Sequence, residues 1–398
     1  MMRAFQELGD RIAAQSKLGD QSNEYFSEIA TAALRESGIL GSIEPETIIE
    51  WLGTSTDLPE QYLKDFGQPP INVYVGDKFY IQVLFWIDST TTIHEHSFSG
   101  AFGVLAGSSV HSRYSFEPGG HLSEEVQIGN INFISSELLK RGDIRTIETG
   151  VKFIHSLFHL DRPSVSIVVR THSQSSRQFN YLKPYIAYDA YYQNKSLTAR
   201  LRMLEALQAF DMIMLWKYAQ LLLKQGPWML LQVLNIVYQR AAECPDQSKQ
   251  LLEAASQHYG CRVIDSMEAV VKEEARVRRL NRLRSAIHDA DLRFFLALLL
   301  NVPKRETLLA LVAERFGTAE PESLVVDWVR QMSDRGLFRT KTNPLLLDII
   351  KLAMRCNSFE EATSVWQRQN GAQPVERERM KEMWEVAHAS EFLRPLFR

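Results

Sequence analysis

Cysteine is scarce in this chain of 398 residues: Cys244, Cys261 and Cys356 stand far apart and form no C-x-x-C pair. That argues against a disulfide framework or a structural zinc site and suits a reducing compartment. An excess of charge of one sign is also missing. The net charge is −3 and the pI near 6.4, so there is no basic footprint for nucleic acid. No Gly-rich phosphate loop follows a strand, and no regular β/α alternation occurs, which disfavours a dinucleotide-binding fold. Long hydrophobic runs are absent. The most apolar stretches, Ala206–Leu223 and Phe294–Val302, are broken by Asp211 and Lys217 or are too short to span a bilayer. The first residues, MMRAFQELGDRIAAQ, carry early acids and no apolar core of the signal-peptide kind. No convincing 34-residue repeat is found. The expectation is a cytoplasmic protein without nucleic-acid or membrane partners.

Three compositional zones are present. Residues 1–68 read as helical: Phe5, Leu8, Ile12 and Ala13 recur at helical spacing, as do Phe26, Ile29, Ala33 and Leu34. Pro45-Glu46 opens another short helix, and Gly67-Gln68-Pro69-Pro70 ends the zone. Residues 69–195 alternate β-rich runs with turn clusters. The runs are Asn72–Val75, Phe79–Ile87, Ala101–Leu105, Val110–Phe116, Val126–Ile134, Thr146–His155 and Ser164–Thr171. About eight strands at this spacing suggest a sandwich or jelly-roll barrel. Residues 196–398 are helical again, with Ser196 as a candidate cap, Lys272–Arg284 as a solvated charged helix, and Leu346–Gln369 as a helical hairpin. The expected class is α+β, a central barrel with an N-terminal helical segment and a large C-terminal all-α region. The helical flanks either cover the barrel mouth or form a homodimer interface.

The most telling stretch runs from Phe79 to Gly107. Two apolar runs, Tyr80–Ile87 and Ala101–Ala106, flank Ile93-His94-Glu95-His96. In an extended strand residues i and i+2 face the same way, so His94 and His96 project together and Glu95 points away. Two imidazoles converging from one strand are half of a metal site, since neutral imidazole suits iron, copper, nickel and zinc. His111 and His121 read as surface or turn residues. His172 follows a strand, where an orienting role at the barrel mouth competes with the preferred reading of an ordinary structural histidine, and the aromatic side chains of Phe79–Trp86 read as barrel core rather than a substrate cage.

Lys78-Phe79, Leu84-Phe85-Trp86, the Ile-His-Glu-His cluster and Gly103–Gly107 together resemble the thiol dioxygenase branch of the cupin superfamily, the cysteine-dioxygenase-like proteins. Gly142-Asp143-Ile144, Ile154-His155 and Pro163–Ser166 continue the likeness, which spans roughly residues 70–172. The resemblance implies a cupin barrel (jelly roll) and a non-haem Fe(II) oxygenase that joins O₂ to a small substrate. Carried over by position, the iron ligands are His94, His96 and His155, with His159 as the rival third ligand. Where general cupins add a Glu after H-x-H, this chain has Ser99, Gly100 and Ala101, so a three-histidine centre fits better.

The chain also departs from that family. No Arg precedes the first strand within Ile71–Gly76 to grip a substrate carboxylate. The family's Ser-x-His-x-Tyr series reads Ser166, Val168 and Arg170 here, and Ala101 stands where some members carry a crosslinking cysteine. Free cysteine is therefore a poor candidate substrate. By the same comparison Ser166 and Arg170 face the pocket as its candidate catalytic residues. Arg170 either holds an anionic substrate from the opposite wall or pairs with a local acid such as Glu148 or Asp161. The competing interpretation is a non-catalytic cupin binding module with a helical assembly or partner-binding domain.

Overall fold

The computed structural model describes residues 2–17, 25–62, 66–173, 177–337, 341–370 and 374–398. Helices open the chain at Met2–Lys17, Phe26–Glu36, Ile39–Ser42 and Pro45–Thr54. Eleven strands follow: β1 Pro70–Val75, β2 Phe79–Trp86, β3 Ile93–His94, β4 Gly100–Ala106, β5 Ser109–His121, β6 Val126–Leu139, β7 Ile144–Ile147, β8 Ile154–His159, β9 Ser164–Thr171, β10 Phe179–Leu182 and β11 Ile186–Asp189. From Lys195 onward the described residues are helices and their connections. The class is the expected α+β.

The strands form a five-stranded sheet, in the order β1-β2-β9-β4-β7, and a closed antiparallel ring, β10-β11-β6-β5-β8-β3. Both faces of the first sheet are covered, so β2 and β9 are buried at every position, the polar Gln82, Ser164, Ser166, Arg170 and Thr171 included. On its outer face Ile81, Val83, Ile167 and Val169 pack beneath Phe5, Leu8, Ile12, Phe26 and Ala33 of the N-terminal helices. Its inner face carries Leu84, Trp86, Phe102 and Val168, which meet Leu139, Phe153 and Leu157 from across the barrel.

The C-terminal helices cover the outside of the second sheet. Helix Ala290–Asn301 is apolar almost all round because it is buried all round: Leu292 and Phe294–Leu300 pack with Val110, Leu138 and Phe158. At its end the Asn301 carbonyl accepts hydrogen bonds from Tyr114 Oη (3.1 Å) and Ser112 Oγ (3.4 Å), and its side-chain oxygen accepts from Ser156 Oγ (3.3 Å). That residue therefore pins the backs of β5 and β8, the strands whose fronts carry the buried histidines. A second group, Val126, Leu182 and Ile186, packs with Leu204, Leu215 and Leu230.

Several local expectations need correction. The run Thr146–His155 is not one strand: β7 ends at Ile147, a 3₁₀ turn over Gly150–Lys152 intervenes, and β8 begins at Ile154. The short strands β10 and β11 fall outside every expected run, and β3 ends at His94, so His96 lies just past the strand that the two histidines were expected to share. Asn194, not Ser196, caps the first C-terminal helix, its side-chain oxygen accepting from Leu197 N at 3.1 Å. The charged stretch Lys272–Arg284 belongs to helix Cys261–Ala286, which is no solvated helix. Glu273 and Arg276 are buried and paired to each other, and Arg284 reaches Asp88 of the barrel. The hairpin expected over Leu346–Gln369 is present as helices Pro344–Arg355 and Phe359–Asn370.

Candidate metal centre

The ladder brings distant histidines together. His94 of β3 lies directly opposite His155 of β8, and His96 follows two residues on, on the same side. The three rings form a nearly equilateral triangle, with centroids 4.7 Å (His94–His155), 4.8 Å (His94–His96) and 4.9 Å (His96–His155) apart. One nitrogen from each lies within 4.8 Å of the others. All three are at most 7% exposed. Glu95 points the other way and accepts hydrogen bonds from Tyr181 Oη (2.5 Å) and Phe179 N (3.2 Å). Among the described residues this is the one group of three or more His, Cys, Asp or Glu placed to hold a metal.

Hydrogen bonds fix which nitrogens face inward. His94 Nδ1 lies 2.8 Å from the Thr92 carbonyl, which can only accept, so Nδ1 carries the proton and Nε2 keeps a lone pair. Burial works to raise the Glu137 carboxyl, yet hydrogen bonds from Arg145 and His111 hold it down at about 2. An ionised Glu137 accepts a hydrogen bond from His111 Nδ1–H at 2.8 Å. Burial holds His111 below its ordinary pKa and so neutral, which makes its Nε2 an acceptor for His155 Nδ1–H at 3.0 Å. The remaining nitrogen of His155, Nε2, is buried with no partner, as is His96 Nδ1.

The same burial lowers the pKa of all three histidines. That of His94 falls to about 4, and those of His96 and His155 fall well below the ordinary value, with Arg170 adding repulsion at His96 and Arg113 at His155. Neutral imidazoles with orphaned lone pairs are the form a divalent cation needs. The donor set thus fits a metal of the imidazole-binding group, iron among them.

The remaining candidates sort clearly. His159 stands outside the triangle: it stacks on Trp86 at 4.6 Å, and its Nδ1 lies 3.0 Å from Ser109 Oγ. His111, expected at the surface, is 1% exposed. His121 is exposed, and His172 lies at the surface with Nε2 near the Gly76 carbonyl. The aromatic residues of β2 divide: Phe79 and Phe85 are outer-face core, whereas Trp86 lines the cavity in front of the histidines.

That cavity, about 60 Å³, also meets Leu84, Phe102, Ser166, Val168 and Arg170. Phe66 lies at its mouth, half-exposed and stacked on His94 at 5.6 Å. Ser166 Oγ accepts from Trp86 Nε1 at 2.9 Å, which leaves its own proton free to donate. Arg170 is 7% exposed and makes no ion pair among the described residues. Its guanidinium lies 3.6 Å from the Phe98 ring centroid, and its Nε is buried without a partner. Asp161, one suggested partner, is held instead by the Ser108 amide and hydroxyl. Arg170 owes its place to Gly100, its cross-strand partner, where a Cβ would stand 1.9 Å from the Val169 carbonyl.

Sequence reasoning missed Thr92, His111, Glu137 and Arg145. His111 lies on β5, and the register of that strand against β8 is a long-range pairing that no local pattern reveals.

No family model matches the chain, and no curated protein matches it. Among solved structures it is similar to hydroquinone 1,2-dioxygenase from Sphingomonas sp. TTNP3, crystallised with 4-hydroxybenzoate, at 8% identity and a TM-score of 0.22 over 28% of this chain and 69% of that one. It is also similar to the DMSP lyase DddQ from Ruegeria pomeroyi DSS-3, at 16% identity and a TM-score of 0.24 over 44% of this chain and 95% of that one. Likenesses this distant add nothing to the reading of the site, which rests on its own residues. No described helix is long and apolar enough to cross a membrane.

Proposed function

We propose that the barrel is the active site of a non-haem Fe(II)-dependent cupin oxygenase, cysteine-dioxygenase-like in its three-histidine centre, which oxidises a small anionic or thiol-bearing substrate with O₂. The observation that carries this is the triangle of neutral His94, His96 and His155, with lone pairs turned inward and no carboxylate in the group. Bound Fe(II) would supply the redox chemistry and the open positions for substrate and oxygen.

The chain's own residues do the rest. Thr92 fixes the tautomer and ring plane of His94, and the Arg145–Glu137–His111 series does the same for His155. Leu84, Trp86 and Phe102 keep the cavity dry, which strengthens every charge interaction inside it. Arg170, which makes no ion pair among the described residues, presents a cation that draws in the anionic end of a substrate, and the Ser166 hydroxyl donates to a polar atom beside it.

A second interpretation, a binding module without catalysis, draws support from the cavity's size. At about 60 Å³ it holds the volume of about two waters, so a larger substrate needs Phe66 or Leu84 to move. Oxygen-electrode measurements on the Fe(II)-loaded protein with a panel of thiols and small carboxylates separate the two. Substrate-dependent O₂ uptake that His94→Ala abolishes supports the oxygenase. An iron-loaded protein that binds these compounds and takes up no O₂ would leave the binding module.

A further inference from the structure

A second, larger cavity lies on the opposite face of the ring sheet. It measures about 630 Å³, within the ordinary range for small-molecule sites, and opens between β5, β6, the β10–β11 turn, helix Cys261–Ala286 and the segment around Arg394. Its charges do not balance. Glu273 receives Arg276 through Nε at 3.0 Å and Nη2 at 2.7 Å and Arg394 through Nη2 at 3.1 Å, with Lys183 Nζ 3.9 Å away. Three cations thus share one carboxylate. The other acid on the wall, Glu391, is engaged by Arg279, and Lys272 is paired with Glu268. Glu274 is not on this wall: it lines a neighbouring cavity beside Val277 and Asn281.

Two of the three cations keep donors in reserve. Arg276 has all three of its nitrogens engaged, its Nη1 donating to the Leu299 carbonyl. Lys183 spends one N–H on the Leu300 carbonyl at 3.1 Å and has two left, although its side chain is only 22% exposed. Arg394 has one nitrogen on Glu273 and the rest of its fork free. A nearly buried ammonium with one hydrogen bond is costly unless an anion joins it. Beside these donors the cavity is walled by Tyr114, Ile131, Phe133 and Val302.

We propose that this cavity is a second binding site, separate from the histidine centre, for a small organic anion. The carboxylate or phosphate group sits on Lys183 and Arg394, and an apolar body lies against Phe133. Tyr114 forms part of the wall and belongs to β5, the strand that also carries His111, so an occupant would press on the back of the histidine centre.

Calorimetric titration of the full chain with phenyl phosphate and with benzoate tests this, with phenol as the uncharged control. Saturable binding of either anion at about millimolar or tighter Kd, and none of phenol, is the expected result. Lys183→Met and Arg394→Gln should each weaken it about tenfold or more, while His94→Ala and Arg170→Met leave it unchanged. Arg394 is 44% exposed, so its replacement leaves the fold in place even if Lys183→Met lowers stability. No saturation by either anion, undiminished affinity in a folded Arg394→Gln protein, or loss of binding in Arg170→Met would overturn the proposal.

Discussion

His155 Nδ1 lies 3.0 Å from His111 Nε2, inside the barrel and out of reach of water, and that bond decides which nitrogen of His155 faces the centre. Through it a carboxylate at the barrel wall, Glu137, sets the tautomer of a candidate metal ligand that it does not touch. His111→Gln and Glu137→Gln should therefore keep the fold and lower Fe(II) affinity by about 10–100-fold. Competitive titration against a colorimetric chelator measures this. Unchanged affinity in both variants would reduce the series to a structural hydrogen-bond chain.

Arg170 is a cation held over Phe98 with no ion-pair partner among the described residues. Replacing it by Met removes a cation–π contact worth about 1–2 kcal/mol but also relieves a buried charge, so stability should change by no more than about 1 kcal/mol. Metal content should be unchanged, and KM for an anionic substrate should rise about tenfold or more. A large loss of stability with KM unchanged would make Arg170 a structural residue.

Gly100→Ala should be costly because its Cβ would stand 1.9 Å from a backbone carbonyl that cannot rotate away. Separating β4 from β9 would destabilise the protein by about 1–3 kcal/mol and shift Arg170. Urea unfolding measures the first effect, and a stability equal to wild type would show that the strands can part freely.

Acid stability should depend on Glu273. Burial works to raise its pKa, but the Arg276 hydrogen bonds and the surrounding cations bring it down to about 2. A folded pKa below the unfolded one gives stability that is fully present above the unfolded value, about 4.3, and lost as pH falls toward 2. Glu273→Gln should be less stable than wild type by about 3 kcal/mol at pH 7, with a clearly smaller gap at pH 3. Equal gaps at the two pH values would contradict this.

What the sequence disclosed depended on how local the signal was. The helical spacing of Phe5, Leu8 and Ile12 and the largely apolar run Tyr80–Trp86, interrupted only by Gln82, survive in the structure because burial itself wrote those patterns. The period-two relation of His94 to His96 was likewise legible within three residues. His111 was not, because its meaning lies in the pairing of β5 with β8, strands more than 30 residues apart in the chain. Strands β10 and β11 are four residues each, too short to show alternation. The charged face of helix Cys261–Ala286 misled for another reason: Glu273 and Arg276 are satisfied by each other and by Arg394, and such pairing leaves no mark in hydropathy.

Elemental analysis after anaerobic Fe(II) loading of the wild type, His94→Ala, His155→Ala and His159→Ala shows whether the three histidines form an iron centre. About one iron per chain is expected in the wild type and in His159→Ala, and none in the other two. A wild type that binds no metal, or a centre that survives His155→Ala and is lost with His159→Ala, would contradict the three-histidine centre.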